Sequence, residues 1–455
     1  MHVRKILALF LLCVINFFHA APIVFAAYSQ AQKITASDGD ASDNFGFDVD
    51  IEDTEYAIIG APNDNKPAGT SSGSAYVYYN NGTGSGFAQQ AKLEASDKAS
   101  NDNFGRSVAS YNDLVIVGGK FNQFDPTTVG SAYVFRRSDT TWTQKAILSP
   151  NNGAVDDGFG YNAVGITGYA AIVGSPGADP SGVTSAGSAY IFTSSNFGET
   201  WNQTQILAPA EVVYGSFGYS VDIDGDYAVV GSPSASVSGV ATAGKVTIYF
   251  FNGSTWTTQA TLNASDYAAN DEFGFNVSIE GSYVLVGAPG DDDGGSATGS
   301  AYVFVRSGTS WSQQQKINAS TPVAAQQFGR STDINGNNAV IGTMGPSGGN
   351  GNIYLFTRAG TTWSQDSLLT ASDGAANAYF GISVAIGNDA TILTGADADN
   401  SGSGSAYFFT DGGGWSQSGG GVPEFSTYLY LLTLAIAFML IKKRALTNPF
   451  DKLRD

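Results

Sequence analysis

A phenylalanine-glycine pair recurs seven times along this chain, at Phe45, Phe104, Phe159, Phe217, Phe273, Phe328 and Phe380, at intervals of 52 to 59 residues. A regular period of that length marks a propeller or solenoid, whose units cannot bury their apolar faces alone. Each copy keeps the same internal order. In the fifth, "FGFNVSI" places Phe273, Phe275, Val277 and Ile279 on one strand face. A tight "EGS" turn leads to "YVLVGAP", a polar loop to "GSAYVFV", and a Gly-Thr-Ser turn to Trp311 and "SQQQKIN". These are four short strands joined by Gly, Ser, Asp and Asn turns. No copy shows a 3.6-residue apolar period, which excludes helical solenoids. Apolar residues on both strand faces need cover on both sides, and radial stacking of four-stranded sheets supplies it. The sequence predicts an all-β, seven-bladed propeller of four-stranded blades over residues 28–417.

The punctuation of the repeat fits that geometry. Gly274 and Gly287 stand where inner strands crowd around an axis and a side chain would collide. Pro62, Pro176, Pro233 and Pro289 end a strand without requiring a ladder donor. Tyr302, Phe304 and Trp311 suit packing between blades. After the seventh copy the pattern stops at "WSQSGGG", one strand short, while "YSQAQKITAS" (Tyr28 to Ser37) matches the fourth strands in register. The N-terminal strand is expected to complete the last blade.

Both ends carry membrane signals. Arg4 and Lys5 precede an apolar run from Ile6 to Phe18, and Val24 and Ala26 suit a cleavage site, so residues 1–26 read as a signal peptide. The single cysteine (Cys13) and the two histidines (His2 and His19) all lie in that segment. Its removal would exclude disulfides, cysteine nucleophiles, Ser-His-Asp triads and histidine-ligated metals from the mature protein. Residues 418–424 read as a glycine-rich linker. Phe425 to Ile441 is a run of 17 uncharged residues followed by Lys442, Lys443 and Arg444, which reads as one C-terminal transmembrane helix with a cytoplasmic tail at 442–455. The protein is thus expected to be exported and anchored at the cell surface, single-pass, with the propeller outside. The chain carries a net charge of −19. Its predicted signal and tail are basic, so the outside region is more acidic still. Such a surface disfavours nucleic acid and anionic lipid, and favours cations, basic proteins or neutral glycans.

The elements "FG…VGAP…GSAYVF" resemble the FG-GAP repeat of integrin alpha subunit propellers, and look closer still to bacterial surface proteins built from it. The resemblance covers Tyr28 to Gln417 and implies the propeller fold. A scaffold that hosts adhesins, lectins and enzyme-associated domains implies no single activity. In integrins several blades carry an Asp-x-Asp-x-Asp-Gly calcium loop between the first and second strands. Only Asp222, Asp224 and Asp226 approach that pattern here, in a shorter turn. No inserted domain or leg domain is present, so an integrin-type partner subunit is not implied. The tail from "VPEF" through "KKR" is similar to PEP-CTERM-type sorting tails.

Acidic loops supply the remaining candidates. Asp291, Asp292 and Asp293 in "APGDDDGG" could offer calcium the oxygen ligands it takes in numbers. Adjacent carboxylates also repel unless neutralised. The "ASD" segments, which precede four of the seven Phe-Gly pairs, admit the plainer reading of turn formers. The leading functional expectation is a non-enzymatic adhesion or binding propeller, with calcium (Ca2+) as a candidate stabilising ion and an extracellular protein or glycan as ligand. The alternatives are a lectin-like propeller, which needs exposed aromatics at matching positions of several blades, and a carboxylate-based polysaccharide hydrolase or lyase.

Overall fold

The computed structural model describes residues 28–51, 55–65, 70–119, 129–209, 215–346 and 349–412. The expected signal peptide, linker, transmembrane helix and tail lie outside these. Among the described residues no helix is long and apolar enough to cross a membrane.

The strands form seven four-stranded antiparallel sheets. In the fifth blade they span Asn276–Glu280, Tyr283–Ala288, Ser300–Ser307 and Ser310–Ile317, paired in sequence order. The first strands line a central channel and the fourth strands form the rim. The last blade closes the ring as its sequence predicts. Its first three strands are Val384–Ile386, Ile392–Ala396 and Ser405–Thr410, and the fourth is Ser29–Ile34, antiparallel to the third with Ser29 opposite Thr410.

The core is divided into layers between neighbouring blades. One layer holds Val229, Val246 and Ile248 of the fourth blade against Val277, Val284 and Val286 of the fifth. In each such layer the Phe of the Phe-Gly pair is fully buried, as Phe273 is, and meets the third-strand tyrosine edge-on, with Phe273 and Tyr302 centroids 5.4 Å apart. An aromatic pair of this kind contributes about 1 kcal/mol beyond its burial. Arg306 and Arg358 lie over Tyr227 and Tyr283 of the preceding blade, at 4.4 Å from each ring. Trp311 donates its indole N–H to Gln259 of the fourth blade at 2.7 Å. These contacts tie blade to blade near the rim.

The glycines answer to a different crowding from the one expected. Gly287 faces the next blade rather than the axis, and a Cβ there would sit 1.9 Å from the carbonyl oxygen of Gly329. Gly274 adopts φ +89°, a left-handed value, and a Cβ would meet Lys245 O of the preceding blade at 2.6 Å. Lateral contact between blades, not convergence on the axis, requires these residues.

Candidate functional site

Three arrangements gather polar chemistry. The first explains the acidic loops. In the fifth blade the Lys316 ammonium lies 2.8 Å from Asp266, 2.8 Å from Asp291 and 2.6 Å from Asp293. The Tyr302 hydroxyl donates to Asp291 at 2.7 Å and Asp266 at 3.0 Å. The first and seventh blades repeat this unit. Lys92 lies 2.6 and 2.7 Å from Asp38 and Asp64, and Lys33 lies 2.6 and 2.7 Å from Asp373 and Asp399. Partial burial works against the charge on Lys316, but the three carboxylates outweigh it and raise its pKa. Burial likewise opposes ionisation of Asp266, yet hydrogen bonds from Lys316 and Tyr302 hold its pKa below the ordinary value.

Neither aspartate trio fits a calcium ion. Lys316 already stands between Asp291 and Asp293, and its ammonium supplies the positive charge that the cluster needs. Asp292 has an exposed side chain and makes no bond to that ammonium. The second trio diverges. Asp222 accepts the N–H of Ile279 at 2.8 Å, Asp224 accepts that of Gly281 at 2.7 Å, and Asp226 accepts the Tyr169 hydroxyl at 2.7 Å. Among the described residues no group of three or more acidic side chains is placed to hold a metal ion. Three of the "ASD" aspartates, Asp38, Asp266 and Asp373, belong to the lysine clusters, and aspartates nearer the Phe-Gly pairs hold turns. Asp102, Asp157 and Asp271 each accept the N–H three residues back, from Ala99, Ala154 and Ala268.

The second arrangement is the channel, a cavity of about 500 Å³. First strands of neighbouring blades do not pair as a ladder, and side chains take over the acceptor role. Asp48 accepts the N–H of Val108 at 2.8 Å, Asp50 that of Ser110 at 2.6 Å, and Asn276 that of Thr332 at 2.9 Å. Asp333 accepts that of Ile386 at 2.8 Å. Unpaired strand edges are thereby satisfied without a further strand. Desolvation dominates the acidity of these groups. It pushes Asp48, Asp222 and Asp333 up to about 7 against hydrogen bonds that favour ionisation.

The third arrangement is a collar at one mouth of the channel, formed by the residue two places after each Phe. Phe47, Tyr161, Tyr219 and Phe275 contribute aromatic rings, Arg106 and Arg330 guanidinium groups, and Ile382 completes the ring, all half-buried. Arg106 lies between two rings, 4.6 Å from the Phe47 centroid and 4.0 Å from that of Tyr161. Arg330 lies 4.5 Å from the Phe275 centroid, and Tyr219 and Phe275 centroids are 4.9 Å apart. Beside it, Asn44 donates to Asp397 at 3.3 Å and accepts from Asn63 at 2.5 Å, and Asn103 donates to Asn63 at 3.1 Å. This amide chain crosses from the seventh blade to the second. Sequence reading passed over the collar because each member looks like an ordinary strand residue. Aligning the position two after each Phe shows four aromatics and two arginines, and would have found it.

Comparison with protein-family models matches the FG-GAP repeat seven times, over residues 28–78, 87–135, 142–192, 201–249, 256–304, 311–356 and 363–409. No curated protein matches the chain. Each matched segment begins with the fourth strand of one blade and ends with the third strand of the next. The sequence repeat is offset by one strand from the structural blade, and that offset makes ring closure possible.

Proposed function

The chain belongs to the FG-GAP repeat family, and on that premise we propose that it is a non-enzymatic binding propeller which engages its ligand at the collared mouth of its channel. The observation that carries this reading is the collar itself: partly buried aromatic rings at matching positions of three blades, Phe47, Tyr219 and Phe275, lining one cavity with Arg106 and Arg330. Recognition sites combine a concave form, apolar faces and a few placed polar groups in this way. Catalysis has less support. Asp48, Asp50, Asp222 and Asp333 are committed to backbone N–H groups of the adjoining blade. The rim carboxylates are bound to lysines. Export and anchoring at the cell surface follow from the apolar segments near the two ends, and the ligand is accordingly an extracellular protein or glycan.

The test uses the full chain, purified in detergent, against a panel of immobilised proteins and glycans. Ile382→Trp places a large side chain in the mouth. A ligand that is retained uncleaved by the wild type and released by this variant, at unchanged melting temperature, supports the reading. Binding indifferent to Ile382→Trp, or turnover of the bound ligand, overturns it.

A further inference from the structure

Arg106 and Arg330 have no hydrogen-bond or ion-pair partner for their guanidinium groups, unlike every other arginine among the described residues. Arg136 pairs with Asp113 and Glu199, and Arg137 donates to the Asp139 carbonyl. Arg306 donates to Gly308 and Ser282, and Arg358 to Gly360 and Asn337. In a chain with 40 acidic and 21 basic residues, an arginine with acids only at longer range, Asp397 for Arg106 and Glu272 for Arg330, and none in direct contact is a departure. Both instances stand at the same level of the same mouth. Each is held by an aromatic face instead, which fixes the guanidinium and leaves its N–H edge unspent. The Nε of Arg106 is buried with no acceptor, as are those of Arg137, Arg306 and Arg358, so it is the terminal N–H groups that set the collar arginines apart. A planar anion that reaches this edge gains charge-assisted, two-point hydrogen bonds.

The surroundings narrow the class of ligand. An extended peptide recognised by strand addition needs free N–H groups on a sheet edge. Here the channel-facing edges have spent theirs on Asp48, Asp50, Asn276 and Asp333 of neighbouring blades. What the mouth offers is the rings of Tyr219 and Phe275 and unspent guanidinium edges. A sugar acid presents the complement of each: a C–H face and a carboxylate.

We propose that the collar binds a carboxylated saccharide, a uronate unit of an acidic glycan, with its carboxylate on Arg106 or Arg330 and its ring against Tyr219 and Phe275. This rests on the reading that the collar is the ligand site. Binding is local, against the negative field of the whole chain, so the forks must supply the selectivity.

Calorimetry on the full chain in detergent tests it, with trisaccharides of galacturonate, glucuronate and mannuronate as probes and their neutral methyl esters as controls. At least one uronate should bind, and its ester should bind about tenfold more weakly or worse, as loss of a charge-assisted hydrogen bond implies. R106Q/R330Q should weaken the acid about tenfold and leave the ester unchanged, and R106K/R330K should recover only part of the affinity, because an ammonium lacks the fork. No binding of any uronate, equal affinity for acid and ester, or an acidic peptide of glutamates that displaces the uronate at lower concentration would each overturn the proposal. The wild-type comparison of acid with ester needs no variant to fold. If the uronates fail while Ile382→Trp still releases another ligand, the collar reading stands and the ligand class falls. If Ile382→Trp releases nothing, both fall.

Discussion

The ammonium of Lys33 lies 2.7 Å from the carboxylate of Asp399, which is only 5% exposed, and this ion pair joins the first described strand to the blade made by the last. The Tyr407 hydroxyl donates to the same carboxylate at 3.1 Å. The ring is closed by strand pairing, and the lysine fixes it at the edge.

Lys33→Met leaves Asp399 buried without its counter-charge. The expected loss is about 2 kcal/mol, below the cost of breaking a fully buried pair because the lysine is partly solvated. Deleting residues 28–34 removes the fourth strand itself and should cost far more, lowering the melting temperature and broadening the transition. Urea denaturation followed by tryptophan fluorescence checks both. Equal stability of the deletion and the intact chain would refute closure by this strand.

Lys316 supplies a cation to all three carboxylates of the fifth-blade cluster. Thermal melts of the wild type should be the same in EDTA and in millimolar calcium. Lys316→Met leaves Asp266, Asp291 and Asp293 together without a cation. That variant should melt lower, by about 2 kcal/mol of stability, and should recover part of the loss on adding calcium, which prefers such oxygen-rich groups. A wild type stabilised by calcium would show that a cation site lies elsewhere.

Burial raises Asp48, Asp222 and Asp333 to about 7, and the sign of the resulting pH dependence is fixed. Between their unfolded value near 4 and their folded value near 7, the native chain holds more protons than the unfolded one, so stability falls as pH rises. The lysine-bound Asp266 and Asp373 have lowered values and act in the opposite sense, losing stability as pH drops below about 4. Melting temperature should therefore peak near pH 4 to 5 and decline toward pH 8. Asp222→Asn keeps the acceptor for Ile279 and removes the ionisation, so it should flatten the decline and add about 1 kcal/mol at pH 8. A melting temperature that rises from pH 5 to 8 would contradict this.

Two glycine replacements separate crowding from turn geometry. A Cβ at Gly287 meets backbone of the next blade at 1.9 Å, whereas Gly281 has nothing within 4 Å and a φ of +58°. Gly287→Ala should cost about 3 kcal/mol, because backbone must move. Gly281→Ala should cost about 1 kcal/mol, the usual penalty of a left-handed alanine. Guanidinium denaturation of the two variants measures the difference.

Much of the architecture was legible because each blade restates it. The spacing of Phe-Gly pairs counted the blades, and the missing last strand located the closure. The lysine partners of the acidic loops are also legible in the aligned copies. Lys33, Lys92 and Lys316 occupy one position of the fourth strand, where other copies have Ile147, Ile206, Thr261 and Leu368. The same three blades place Asp399, Asp64 and Asp291 at one position of the loop before the third strand. Acid and lysine occur together, as partners do. In the linear chain the three aspartates stand side by side, while their lysine is more than twenty residues away.

The sequence by itself determined the fold, the number of blades and the strand that closes them, because these depend on local patterns repeated often enough to outweigh variation in any copy. Only the tertiary structure decided what the polar residues do. Stacking seven unlike copies around an axis brings residues from different repeats to the same level, and their roles depend on which neighbours they meet there. Asp222 became an acceptor for the next blade's backbone because the channel edge leaves an N–H to satisfy. Arg106 and Arg330 became parts of one collar because ring closure places the second and sixth copies at the same mouth.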